Sequence, residues 1–154
     1  MYLKKFINVG EIHVATKPTE IVTVLGSCVA VCLYDRVEQV GAMNHYLVPL
    51  WNGNGLQSPK YGNVSIPKLI ETIQHIGCNL SNVEAKLFGG AIINITNLEH
   101  MMIVKKNIII AKELLKEYGI KITAEDTGGN NGRRILLRSD TGKVMMKYTG
   151  IQEG

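Results

Sequence analysis

No stretch of the chain is long and apolar enough to cross a bilayer as a helix. The longest nearly apolar run, Val24 to Tyr34, has 11 residues and contains Gly26 and Ser27, where a span needs about 20. Neither sign of charge dominates: 17 basic residues against 13 acidic ones leave a net charge of +4. The basic residues are scattered, with Lys105-Lys106 and Arg133-Arg134 the only adjacent pairs outside the N-terminus. A nucleic-acid-binding patch is therefore not expected, and the mild positive charge suits an acidic protein partner better. Cysteine is also sparse. Cys28, Cys32 and Cys78 cannot all pair, show no CxxC spacing and have no His-rich tract beside them. The start, Met1 to Phe6, lacks the apolar core of a secretory leader. These absences predict a reduced, cytoplasmic protein without membrane insertion.

What is present is ample for folding. Hydrophobic residues make up 45% and charged residues 19% of 154, enough apolar surface to exclude disorder as the main state. That length predicts one domain spanning residues 1–154. Strands are expected over Phe6 to Ala15, with Gly10 as a bulge, and over Glu20 to Leu25, where Ile21, Val22, Thr23 and Val24 are all β-branched. Cys28 to Tyr34 and Val40 to Val48 flank the polar turn at Asp35 to Glu38 and read as a hairpin. Leu50 to Lys60 is a loop. It precedes a helix with apolar residues at Val64, Ile66, Leu69, Ile70, Ile73 and Ile76, Asn63 as its N-cap and Pro67 near its first turn.

A short strand, Ala85 to Phe88, runs into Gly89-Gly90, and a second helix covers Met102 to Tyr118. Ile120 to Glu125 is a strand, and a hairpin joins Arg133 to Ser139 with Lys143 to Tyr148. Many strands with two good helices predict an α+β fold, a layered α/β sandwich of mixed β-sheet with two main helices, rather than a regular βαβ repeat.

The first hairpin carries the chemistry. If Arg36 and Val37 form a two-residue loop, Asp35 faces Glu38, Leu33 faces Val40 and Cys28 faces His45. Facing residues have Cβ atoms about 4.5–5.5 Å apart, so thiol and imidazole could touch and form a thiolate–imidazolium pair. A slip of one residue would put them on opposite faces. Cys28 follows Gly26-Ser27, a tight turn whose backbone N–H groups could meet a developing oxyanion, which makes Gly26 and Ser27 oxyanion-site candidates. Thr23, five residues upstream, could hydrogen-bond the second imidazole nitrogen.

Against this stands a plainer assignment. A cysteine in an apolar strand is a small hydrophobe, as expected for Cys32 and Cys78 and open for Cys28. His75 and His100 read as structural or solvated. A metal site needs three or four ligands where only two can be assembled, and the glycine pairs fit no phosphate-binding motif, so no metal or cofactor is expected.

The block Val24-Leu25-Gly26-Ser27-Cys28-Val29-Ala30-Val31-Cys32-Leu33-Tyr34-Asp35, with Gly41-Ala42-Met43-Asn44-His45, resembles the CheD family of chemoreceptor glutamine deamidases. So do Lys86 to Ala91 and Gly119 to Asn130, and the matches run in family order from about residue 8 to residue 148. The resemblance implies hydrolysis of glutamine side-chain amides on chemotaxis receptors to glutamate and ammonia. The catalytic residues would be Cys28, His45 and Thr23. It implies an active-site design similar to that of toxin deamidases with a Cys–His pair on an α/β sandwich. The implied partners are receptor cytoplasmic domains, at receptor arrays, and a CheC-type phosphatase. Two alternatives stay open: a thiol hydrolase of another substrate, and a non-catalytic adaptor that binds the CheC-type phosphatase with Cys28 in its core.

Overall fold

In the computed structural model, which describes residues 1–93 and 97–151, the β-branched run forms the inner strand of one of two stacked sheets. In chain order the elements are β1 (Leu3–Phe6), β2 (Ile12–Ala15), β3 (Thr19–Leu25), β4 (Val29–Asp35), β5 (Val40–Asn44), α1 (Gly62–His75), β6 (Val83–Gly89), α2 (Leu98–Glu117), β7 (Lys121–Asp126), β8 (Asn131–Arg138) and β9 (Val144–Ile151). One sheet has the order β1-β3-β8-β9 and the other β2-β5-β4-β6-β7. Both are mixed: β1 runs parallel to β3 and β6 parallel to β7, while the remaining pairs are antiparallel. The expected α+β layered sandwich with two main helices is the architecture found.

Strand alternation builds two cores. Val29, Val31 and Leu33 of β4 point outward to the helices and pack with Ile66, Leu69 and Ile70 of α1 and with Ala111 and Leu115 of α2. Ala30 and Cys32 point the other way. They join Met43, Ile21, Leu25, Ile135 and Leu137 in a seam between the sheets. Cys32 and Cys78 are 2% and 6% exposed and serve as small core residues, as their apolar settings suggest.

Several boundaries differ from expectation, each for a local reason. Phe6 to Ala15 is not one strand. The chain turns at Gly10, whose φ is +83°, and β1 and β2 belong to different sheets. The first hairpin has a four-residue loop, Arg36 to Gln39, because Asp35 Oδ1 accepts from the N–H groups of both Val37 and Glu38 and winds the chain into a wider turn. Asp35 therefore faces Val40 and Cys32 faces Met43, two residues away from the predicted register. Asn63 does not cap α1. Tyr61 occupies the cap position without a side-chain bond, and Asn63 Oδ1 takes the Trp51 N–H instead. Helix α2 starts at Leu98, where Asn97 Oδ1 accepts from the N–H groups of Glu99 and His100.

The β4–β5 ladder opens just before His45. Val31 donates its N–H to Asn44 Oδ1 at 2.7 Å, and Asn44 Nδ2 donates to Ser65 Oγ at 2.9 Å. Pairing resumes at Val29 and Tyr46. Replacing Asn44 by Leu strands a buried N–H and a buried hydroxyl at about 1–3 kcal/mol each. Asn44→Leu is thus expected to lose about 2 kcal/mol or more in urea denaturation, against less than about 0.5 kcal/mol for a polar exchange at exposed Glu38.

Candidate active site

A two-residue register shift preserves side-chain parity, so Cys28 and His45 remain on one face. His45 continues the inner face of β5 after Met43, and Cys28 continues that of β4 before Ala30. The resumed pairing of Val29 with Tyr46 sets Cys28 diagonally across from His45 on one face instead of directly opposite. Diagonal neighbours in an antiparallel pair sit about 7–8 Å apart at Cα, within reach of a long or aromatic side chain. Cys28 is half-buried at the end of the seam, whereas His45 is 6% exposed.

His45 is held at two points, its backbone carbonyl and its ring. Gly10 N–H holds the His45 carbonyl at 2.7 Å. Thr23, fully buried on the inner face of β3 in the opposite sheet, places Oγ1 2.7 Å from His45 Nδ1. The same Oγ1 lies 2.7 Å from the Ile7 carbonyl oxygen. A carbonyl can only accept, so the single hydroxyl proton of Thr23 goes to Ile7. Thr23 Oγ1 is then an acceptor toward the ring, Nδ1 must carry a proton, and the lone pair of the neutral imidazole resides on Nε2. The Ile7 carbonyl was not legible in the sequence, because a backbone acceptor carries no residue signature.

The turn before β4 is held by glycine contacts. Gly26 O accepts from Ala91 N–H at 2.9 Å, and a Cβ added at Gly90 would lie 2.1 Å from Ser27 O. The carbonyls of Gly26 and Ser27 thus face the segment after β6. In trans peptides the N–H points opposite to the preceding carbonyl, so the N–H groups of Ser27 and Cys28 are directed away from that segment. Neither finds an acceptor among the described residues. Of the two oxyanion-site candidates, Ser27 presents such an N–H, whereas Gly26 contributes the carbonyl held by Ala91.

A groove of about 320 Å³ opens beside this turn. Ser27, Leu47 and Val48 form one wall, and Asn97, His100, Ile103 and Val104 of the α2 end form the other. His100, expected to be structural or solvated, stands on this wall. Helix α2 is clamped to the segment after His45: Tyr46 donates its hydroxyl to the Asn107 carbonyl, and Asn107 Nδ2 donates to Leu47 O.

Burial acts on both partners in the same sense, toward neutrality. It pushes the Cys28 thiol up to about 11 and draws the His45 imidazole down to about 4. Burial thus works against the thiolate–imidazolium pair expected from the sequence and favours the neutral form of each group.

A family model described as CheD chemotactic sensory transduction matches residues 49–148. A curated relative from Sulfurimonas denitrificans, named probable chemoreceptor glutamine deamidase CheD, is 55% identical over 148 residues, 96% of this chain and 95% of its own length. The protein of the same name from Trichlorobacter lovleyi is 43% identical over 93% of this chain and 89% of its own. The chemoreceptor glutamine deamidase CheD of Thermotoga maritima is 40% identical over 96% and 94%. Among solved structures, the hypothetical protein YfiH of Bacillus licheniformis superposes with a TM-score of 0.47 at 13% identity, covering 77% of this chain and 49% of that one.

Two measurements follow from the site. Limiting iodoacetamide is expected to label Cys28 ahead of buried Cys32 and Cys78, at a rate still rising with pH above neutrality because the thiol is pushed up to about 11. Mass spectrometry of the peptides reads the order, and labelling of Cys32 or Cys78 first contradicts it. In acid, an unfolded histidine gains its proton near 6.5 whereas His45 in the fold gains it only near 4. Over that window the unfolded state binds more protons, so stability rises with pH and is lost as pH falls from about 6.5 to about 4, by up to about 3 kcal/mol. His45→Gln is expected to flatten this part of the stability profile. An unchanged slope in urea titrations from pH 4 to pH 7 would refute the assignment.

Proposed function

Because the chain belongs to the CheD family, we propose that it is a chemoreceptor glutamine deamidase, a cysteine amidohydrolase acting with Cys28, His45 and Thr23 in one domain over residues 1–154. Glutamine side chains on receptor cytoplasmic domains are the substrates, which places the work in the cytoplasm. The observation that carries the residue assignment is the committed proton of Thr23. It leaves Nε2 of a buried imidazole as a base, on the same sheet face as a half-buried thiol.

The proposed reaction starts from the neutral thiol and imidazole that burial favours. As Cys28 Sγ bonds to the carboxamide carbon, its proton passes to His45 Nε2, and charge develops on the amide oxygen. The N–H groups of Ser27 and Cys28 receive that oxygen. His45, now imidazolium, keeps its Nδ1–H on Thr23 and gives the Nε2 proton to the leaving nitrogen, which departs as ammonia. A thioester remains. Water attacks it, with Nε2 taking a water proton and then returning it to the thiol. The net change is carboxamide plus water to carboxylic acid plus ammonia. Thr23 serves both protonation states of the ring as an acceptor, so the orientation survives the cycle. The groove beside Ser27 provides the approach for the extended glutamine side chain.

A set of variants tests the roles. Cys28→Ala is expected to abolish ammonia release from a receptor cytoplasmic fragment, and His45→Ala to be nearly as severe, since it removes base and acid together. Positioned proton transfer contributes typically 10²–10⁴-fold, and an orienting bond supplies part of that. Thr23→Val is therefore expected to lose roughly 10–100-fold, while Thr23→Ser, which keeps the hydroxyl, retains most of the rate. A folded Cys28→Ala protein that still deamidates contradicts the mechanism. A Thr23→Val protein with full rate removes Thr23 from it.

A further inference from the structure

The two sheets are bridged a second time, by a charged group that the mechanism above does not use. Arg133, the third residue of β8, stands opposite Leu25 on the inner face, and its side chain is only 2% exposed. Nε and Nη2 both lie 2.8 Å from Asp126 Oδ1, at the end of β7 in the other sheet. Nη2 also donates to Gly128 O at 2.7 Å, and Tyr148 donates its hydroxyl to the Asp126 carboxylate. A buried guanidinium needs this much compensation, so the arrangement is expensive to build and rigid once built. The loop it pins is short, with φ of +74° at both Gly128 and Gly129.

From that loop a continuous set of contacts leads to the nucleophile. Gly129 O accepts from Ile92 N–H at 2.8 Å, and Ala91 N–H holds Gly26 O. Gly89 and Gly90 lie so close to the Cys28 and Ser27 carbonyls that a Cβ at either would sit 2.3 or 2.1 Å from oxygen. These contacts set the direction in which the carbonyls of Gly26 and Ser27 point. Through the planar trans peptides they also set the direction of the N–H groups of Ser27 and Cys28.

We propose that Arg133 is the positioning residue of the oxyanion site: its buried bridge to Asp126 and Gly128 fixes the glycine segment that aims the Ser27 and Cys28 N–H groups. Arg133 touches neither substrate nor reacting atoms, and its role in deamidation rests on the function proposed above. Removing one oxyanion donor outright costs about 10²–10³ in rate, so misaiming two is expected to cost roughly 10–100-fold. The loss should fall on kcat with KM little changed, since the groove wall on α2 stays in place.

Two small reagents isolate the effect from fold and from substrate. Acylation of Cys28 by p-nitrophenyl acetate passes through a tetrahedral oxyanion: Sγ bonds to the acetyl carbon, p-nitrophenolate leaves with its electron pair, and the thiol proton goes to His45. Alkylation by iodoacetamide displaces iodide at a saturated carbon and builds no oxyanion. In Arg133→Lys, which keeps the charge and loses the planar fork, the ratio of acylation to alkylation rates is expected to fall at least 10-fold relative to the unaltered chain. Should Arg133→Lys fail to fold, Asp126→Asn at the partly exposed end of the bridge is read in the same way, with a fall of at least threefold. An unchanged ratio in a folded variant overturns the proposal. Ammonia release from a receptor fragment, measured alongside, separates the two claims. If the unaltered chain releases none, the deamidase reading fails, and the reagent ratio still decides whether Arg133 aims the turn.

Discussion

One hydroxyl between two sheets sets the terms for the site. Thr23 stands in the seam with no access to water, and a buried hydroxyl must spend its one proton and accept at least once to offset its desolvation. The Ile7 carbonyl takes the proton and the His45 ring supplies the return bond. Ile7 in turn keeps its place because its N–H is bound to Val22 O, extending the parallel pairing of β1 with β3. The protonation pattern of an imidazole in one sheet thus depends on how an exposed edge strand docks on the other. In an apolar seam of low dielectric a bare Nδ1 facing a bare oxygen lone pair is repulsive, which disfavours the alternative tautomer.

The remaining architecture serves to keep this seam in register. The outer face of the larger sheet is covered by α1 and α2, and the apolar contacts of Val29, Val31 and Leu33 there give β4 the anchorage it needs to carry Cys28 at its edge. Three of the buried polar groups fix the ends of elements. Asn44 replaces a ladder bond so that the chain can open at His45, Asn107 ties α2 to Leu47, and Arg133 joins β8 to β7. Each sits next to the site, and the central stretch of the seam is filled with Ile21, Leu25, Ile135 and Leu137. Apolar packing supplies the stability, and the buried hydrogen bonds supply direction.

How far the sequence reveals this depends on the range of each interaction. The β-branched run at Ile21 to Val24 and the apolar spacing of α1 are local patterns, and both elements form where the patterns lie. That Cys28 and His45 share one sheet face was legible through parity. The Asp35 turn moved the register by two, and a period of two is blind to an even shift. Had Asp35 wound the turn by one residue more or fewer, the pair would have been separated. Thr23 could be named because a hydroxyl is a residue type. Ile7 and the bridge from Arg133 to Asp126 could not, since both are contacts between sheets, and nothing in the spacing of a single strand says which residue of another layer it will meet. For the same reason Phe6 to Ala15 read as one strand: its two halves are alike in composition and differ only in the sheet they join.

The burial that fixes the site also favours the neutral form of both Cys28 and His45. A free ion pair between Cys28 and His45 would require two charges to leave water at once, and the depth of the seam disfavours each separately. Thiolate is the form that peroxide and stray electrophiles attack, so a thiol held neutral is a poor target for them. In the proposed reaction, charge arises only when an acceptor for it arrives. In that reaction the negative charge moves from sulfur to the amide oxygen as the bond forms, toward the N–H groups of Ser27 and Cys28, and the positive charge stays on a ring whose Nδ1 is bound by Thr23. The site therefore needs no activated nucleophile in waiting. On the proposed mechanism it needs donors and acceptors fixed in advance at the places where charge appears, and the two bridges across the seam are the contacts proposed to fix them.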